Sequence, residues 1–194
     1  MKRIMFNDKY GLTQAVLEGR KTMTRRIVKG LKDDADVSEW GLDEKSAYIT
    51  DYNDAEGKQF RPMYQLGEVV AIAQAYKDLP LKIDIDKFVV WYQNIQKQKM
   101  SVGWKNKMFV RADLMSHHIK ITDIKVERLQ DISDEDCLRE GIMRCNFNKK
   151  FTCDGKNAYD TPQKAFAALI NKVSGEGTWK NNPYVFCYEF ELVD

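Results

Sequence analysis

A chain of 194 residues, 43% hydrophobic and 31% charged with a formal net charge of +2, is long enough to bury a core as one domain. It is too nearly neutral to hold nucleic acid by overall charge, so any anion site is local. No apolar run approaches the roughly 20 residues of a bilayer span and the first residues lack a secretory-type apolar segment, which predicts a cytoplasmic protein without membrane contact.

In chain order, Leu12, Ala15 and Val16 form a short apolar helical stripe, and Gly19 tolerates the left-handed conformation that follows a last turn. Met23 to Val28 then runs extended as a strand. Asp33 to Gly57 is acidic and polar and reads as an irregular excursion, with a brief strand at Ala47-Tyr48-Ile49-Thr50. After Gly67 a strand is expected from Glu68 to Tyr76. Asp86 to Met100 has helical spacing, with Phe88, Val89, Tyr92 and Ile95 inward and lysines outward. Lys107 to Val110 and Ile119 to Arg128 read as two further strands.

Ser133 is a strong N-cap for a short helix ended by Gly141, with Asp136 at the capping-box position. Thr161-Pro162 opens another helix, with Ala165, Phe166, Leu169, Ile170 and Val173 apolar and Gly175 at its stop. The last residues return as a strand. The class is α+β, and five or more strands with inserted helices suit a small closed or nearly closed barrel. Cys137, Cys145, Cys153 and Cys187 form no Cys-x-x-Cys pair and no metal-type spacing with His117 or His118. Reduced thiols, no metal and no cofactor are expected, with Cys187 in the core.

Two places carry chemistry. Leu17 to Arg26 brings Arg20, Lys21, Arg25 and Arg26 together with Thr22 and Thr24 where a helix should stop and a strand begin. Cations just past a helix C-terminus also offset its dipole, worth a few tenths to about 1 kcal/mol, so charge alone does not separate a ligand site from a stability device. The second place is Glu140, in the last turn before Gly141, where a carboxylate faces the unfavourable end of the dipole.

Ile4-Met5-Phe6 followed by Ala15 to Arg26, Tyr64 to Val70, Ile121 to Ile132 leading to Glu140-Gly141-Ile142, and Trp179 to Phe186 together resemble the ASCH family, related to PUA RNA-binding domains, in its long phage and bacterial version. The resemblance spans nearly the whole chain as one domain, 1–194, with insertions near 31–60, 80–107 and 143–160. It implies a PUA-like β-barrel (pseudobarrel) with flanking helices, and RNA or a modified nucleoside as partner. A small bacterial member of the family hydrolyses acylated cytidine, and its catalytic lysine, threonine and glutamate match Lys21, Thr24 and Glu140 by motif. Arg20, Arg25 and Arg26 would then bind ligand, and Trp179 would lie near the barrel mouth.

Three functions stay open: a nucleoside- or RNA-binding protein with a basic pocket, a metal-independent amidohydrolase of N4-acylated cytidine, and a metal-independent ribonuclease. For hydrolysis, Thr24 needs an adjacent base, and Lys21 serves only if desolvation or a neighbouring cation lowers its pKa. Equally, Glu140 activates water while Lys21 and Thr24 hold the developing oxyanion. For binding, Lys97, Lys99, Lys105 and Lys107 with Trp91, Tyr92 and Trp104 supply phosphate-contact and stacking residue types.

Overall fold

A computed structural model describes residues 1–31, 40–43, 46–53, 57–79, 94, 96, 97, 99, 102–145 and 149–193. The described elements are β1 (Arg3–Ile4), α1 (Leu12–Leu17), β2 (Met23–Ile27), β3 (Trp40–Asp43), β4 (Ser46–Asp51), β5 (Lys58–Phe60), β6 (Val69–Ile72), β7 (His118–Arg128), α2 (Asp134–Arg139), β8 (Met143–Arg144), β9 (Phe151–Thr152), α3 (Pro162–Ser174), α4 (Thr178–Asn181) and β10 (Tyr184–Leu192), joined in places by single 3-10 turns. The class is mixed α+β, with parallel and antiparallel strands, and no closed barrel is formed among the described residues. No described helix is long and apolar enough to cross a membrane.

The chain divides into two compact units, one of Met1–Phe6, Val69–Ile119 and Leu192–Asp194, the other of Asn7–Glu68 and Lys120–Glu191. In the first, β1 and β6 pair in parallel with Arg3 opposite Ala71 and Ile4 opposite Ile72. Ala71, Ala73, Val110 and Met115 form its buried cluster, with Tyr76 and Leu79 packed against it. The Arg3 guanidinium donates to the carbonyls of Val110 (2.5 Å) and Met108 (2.7 Å), and so ties β1 to the turn at Lys107–Phe109.

Two strands read from sequence are different here. Lys107 to Val110 is a 3-10 turn over Lys107–Phe109, because the Asn106 side chain accepts from the Met108 amide at 3.0 Å and so caps a turn. The strand after Gly67 lasts only from Val69 to Ile72, and Tyr76–Asp78 is again 3-10. Of the helix read at Asp86 to Met100, the described positions Asn94, Gln96, Lys97 and Lys99 are exposed. Phe88, Val89, Trp91, Tyr92 and Ile95 lie outside the described residues.

In the second unit, β2 pairs antiparallel with β10, and β10 lies beside β7, where the Leu129 amide donates to the Pro183 carbonyl at 3.0 Å. The excursion read as irregular instead holds the first two strands of an antiparallel three-stranded sheet, β3-β4-β5, whose middle strand includes the expected Ala47 to Thr50. The β8–β9 pair occupies a stretch with no strand expected. α3 starts as read, the Thr161 hydroxyl accepting from the Lys164 amide at 3.2 Å with Pro162 in the first turn, and buries Ala165, Phe166, Leu169 and Ile170. Val173, counted among its apolar side, is exposed. Cys187 is fully buried in β10, and all four cysteines are free thiols.

Candidate functional site

Two helix ends build the site, and they share one local motif. At the end of α1, the Gly19 amide donates to Val16 O and the Arg20 amide to Ala15 O, both at 2.9 Å, with Gly19 at φ +70°. At the end of α2, the Gly141 amide donates to Leu138 O at 2.9 Å and the Ile142 amide to Cys137 O at 3.1 Å, with Gly141 at φ +105°. Both are Schellman closures, in which a left-handed residue lets the chain reverse and satisfies the last carbonyls. The closures deliver Lys21 and Glu140, respectively 2% and 4% exposed. The Thr22 amide donates to Arg139 O at 3.0 Å, which locks the two ends together.

The Lys21 ammonium donates to Glu140 Oε2 and to Met23 O, each at 2.7 Å, and to Glu140 O at 2.8 Å. One lysine therefore neutralises the carboxylate and caps the backbone at the same helix end. That resolves the poor fit of Glu140 to its position: a cation at the negative end of the dipole offsets it.

Arg25 adds a second cation, with Nη1 at 3.2 Å from Glu140 Oε1, Nη2 at 2.9 Å from Asp136 Oδ2 and 2.5 Å from Glu127 Oε1, and Nε donating to Glu127 Oε1 at 2.7 Å. Lys125 reaches Asp136 at 3.3 Å and Glu127 at 3.6 Å, and Arg139 pairs with Glu189 at 2.7 Å. The Ser133 hydroxyl caps α2 as read, accepting from the Asp136 amide at 3.0 Å, while the Asp136 carboxylate faces Arg25 and Lys125.

Burial pushes the Lys21 pKa below its ordinary value; Glu140 opposes this, and the charges of Arg26 and Arg25 add to it. Burial works against the Arg25 charge, but Cys187 and the Glu140 and Glu127 carboxylates outweigh it and raise its pKa. Burial also works to raise the Asp136 pKa, and Arg25 and Lys125 reverse this and lower it.

Strand alternation separates the remaining residues. Side chains directly opposite on paired strands share a face, so Thr24 (opposite Tyr188) and Arg26 (opposite Phe186) lie on one face of β2, while Met23 and Arg25 lie on the other. Thr24 is buried, and among the described residues its hydroxyl has no hydrogen-bond partner. Arg26 is half-buried and close enough to Tyr64, Tyr188 and Lys21 for its charge to act on each. The Tyr188 ring meets Tyr64 edge-on at 5.3 Å, and its hydroxyl accepts from the Met63 amide at 3.0 Å.

Of the residues singled out in the sequence, the structure brings Lys21, Glu140 and Arg25 into contact. Thr24 and Arg26 stand on the opposite face of β2 from Arg25. Arg20 is 44% exposed and pairs with Glu18 at 2.6 Å. Trp179 stacks edge-on against Phe166 at 6.1 Å, and its backbone is held by Asn171 and Gln130, which is a packing role between α3 and α4.

Sequence reasoning missed Glu127 and Tyr188, and assigned Asp136 only to capping. The alternation of Lys125 and Glu127 along β7 was the one available signal for an ionic face. A scan against protein-family models, a search of curated proteins and a search of solved structures each return no match for this chain.

Proposed function

We propose that this protein binds a modified nucleoside and hydrolyses an amide on its base, N4-acylated cytidine being the substrate class, and that its fold is a PUA-like pseudobarrel of the ASCH type. The observation that carries this reading is the buried Lys21–Glu140 pair at 2.7 Å, with Thr24 three residues on, buried and without a hydrogen-bond partner for its hydroxyl among the described residues. Stability does not account for such a cluster. Replacing buried ion pairs by apolar residues of similar size is often neutral or stabilising, so two cations and three carboxylates drawn together inside the unit call for another explanation. Perturbed ionisable groups of this kind concentrate at functional sites.

In one form of the chemistry the Lys21 ammonium exchanges one of its three acceptors for the oxyanion that forms on the acyl carbonyl, with the Thr24 hydroxyl as second donor. Glu140 takes a proton from the attacking water and passes it to the departing cytosine amine, so cytidine and a free carboxylic acid result. The depressed pKa of Lys21 keeps the alternative open, in which the neutral amine deprotonates Thr24 and an acyl-threonine forms and is hydrolysed.

Incubation with N4-acylated cytidine should release cytidine without added metal. Lys21→Ala, Thr24→Ala and Glu140→Gln should each lower the rate about 100-fold or more, and far from additively, because groups acting as one unit fail together. Lys21→Arg keeps charge without a base near neutral pH, so retained activity there selects the oxyanion role. No turnover on any acylated nucleoside, with binding intact, would overturn the enzyme reading. A second reading, binding of RNA or nucleoside without chemistry, is favoured by the same saturation of the Lys21 ammonium. On that reading RNA affinity falls as salt rises, and the slope flattens when Arg26 is replaced by Ala, whereas Arg25, spent on three carboxylates, contributes nothing to it.

A further inference from the structure

The sequence places Arg25 among the ligand-binding cations, but its side chain faces elsewhere. It is 1% exposed and spends its donors on Glu127 from β7 and on Asp136 and Glu140 from α2 and its cap, with Met23 Sδ at 3.2 Å from Nη1. A planar guanidinium with donors in a fixed fork is the side chain that can address carboxylates on separate sides at once; an ammonium on a flexible stem is not. Glu140 is the one carboxylate of the three that Lys21 also holds, and the two cations divide its oxygens, Arg25 on Oε1 and Lys21 on Oε2.

We infer that Arg25 is a positioning residue: its fork ties Glu140 to β7 and the body of α2 by Oε1, so that Oε2 is fixed on the Lys21 ammonium. The inference rests on the reading of the Lys21–Glu140 pair as the working centre. Without the fork, Glu140 keeps only the Lys21 contacts and can turn about its terminal bonds, and a small misplacement of a reacting group is enough to slow a reaction without weakening substrate binding. Arg25 itself is turned from the Thr24 and Arg26 face of β2 and reaches no ligand there.

Arg25→Lys in the full chain tests this, because it retains a charge to balance the carboxylates and removes only the fork. With N4-acylated cytidine, kcat should fall about tenfold or more while KM stays within about threefold. In the unliganded protein, the carbon NMR signal of the Glu140 carboxyl, assigned by its loss in Glu140→Gln, should shift or broaden. A kcat equal to that of the wild type together with an unchanged Glu140 signal would overturn the inference. If the wild type turns over no acylated nucleoside, the hydrolytic reading fails by itself. The NMR comparison then decides the positioning role, an unmoved signal removing it. Should Arg25→Lys not fold, the charge-balanced double variant Arg25→Gln with Glu127→Gln takes its place. The same fall in kcat and the same change in the Glu140 signal are expected of it, and the absence of both removes the positioning role.

Discussion

The ends of α1 and α2 close with the same pair of backbone hydrogen bonds around a left-handed glycine, yet they do different work. Past α1, Arg20 turns to solvent and pairs with its neighbour Glu18, while one residue later Lys21 turns inward. Past α2, the cap residue Glu140 itself is the buried group. The glycines differ as well: a Cβ on Gly19 would meet nothing within 4 Å, whereas on Gly141 it would come to 3.1 Å from Leu12 Cδ2 and 3.7 Å from Lys21 Cδ. A local motif turns the chain; what the turned residue meets is set by the element packed against it.

The largest expected effect contrasts the two adjacent cations. Lys21→Met removes the ammonium from a buried carboxylate and two carbonyls, and should cost about 3–5 kcal/mol in denaturant unfolding. Arg20→Ala, at an exposed pair, should stay within about 0.5 kcal/mol. Equal costs would break the distinction between the two positions.

The glycines sharpen it next. Ala at either position suffers the left-handed penalty of about 1–2 kcal/mol, and Gly141→Ala should cost about 1 kcal/mol more, because Leu12 and the Lys21 stem must move. Thermal melting of the two variants measures the difference, and a larger loss at Gly19 would contradict the packing described.

The smallest effect lies in acid. Folding lowers the pKa of Asp136, so the stability it contributes is present above its unfolded value and is lost as pH falls through the lower folded value. Asp136→Asn should therefore flatten the decline of stability below about pH 4. Glu18 is also lowered, by hydrogen bonds from Gln14 and Arg20, but it is solvent-exposed, and Glu18→Gln should leave that decline nearly unchanged. Parallel acid titrations of unfolding check both.

Much of the backbone was legible because its signals are local. The Ser133 cap, the stops at Gly19 and Gly141 and the start at Thr161-Pro162 each depend on a few consecutive residues, and all four stand as read. Lys107 to Val110 failed because the preceding Asn106 supplies a cap that competes with extension. Of the β3-β4-β5 sheet only the middle strand was legible, at Ala47 to Thr50, because the pairing is set by strands meeting each other, while the polar composition of the segment suggested a loop.

By itself the sequence determined where α1 and α2 stop and where α2 and α3 start, that the class is α+β, and that Lys21 and Glu140 stand at helix ends, because capping and periodicity act over a turn or two. Only the tertiary structure decided that Lys21 meets Glu140, that Arg25 is spent on three carboxylates, and that Thr24 and Arg26 fall on the other face of β2. Charge is visible in a sequence, but its partner is not: the contact between residues 21 and 140 exists because a strand pairing and a helix packing bring together ends that are 119 residues apart along the chain.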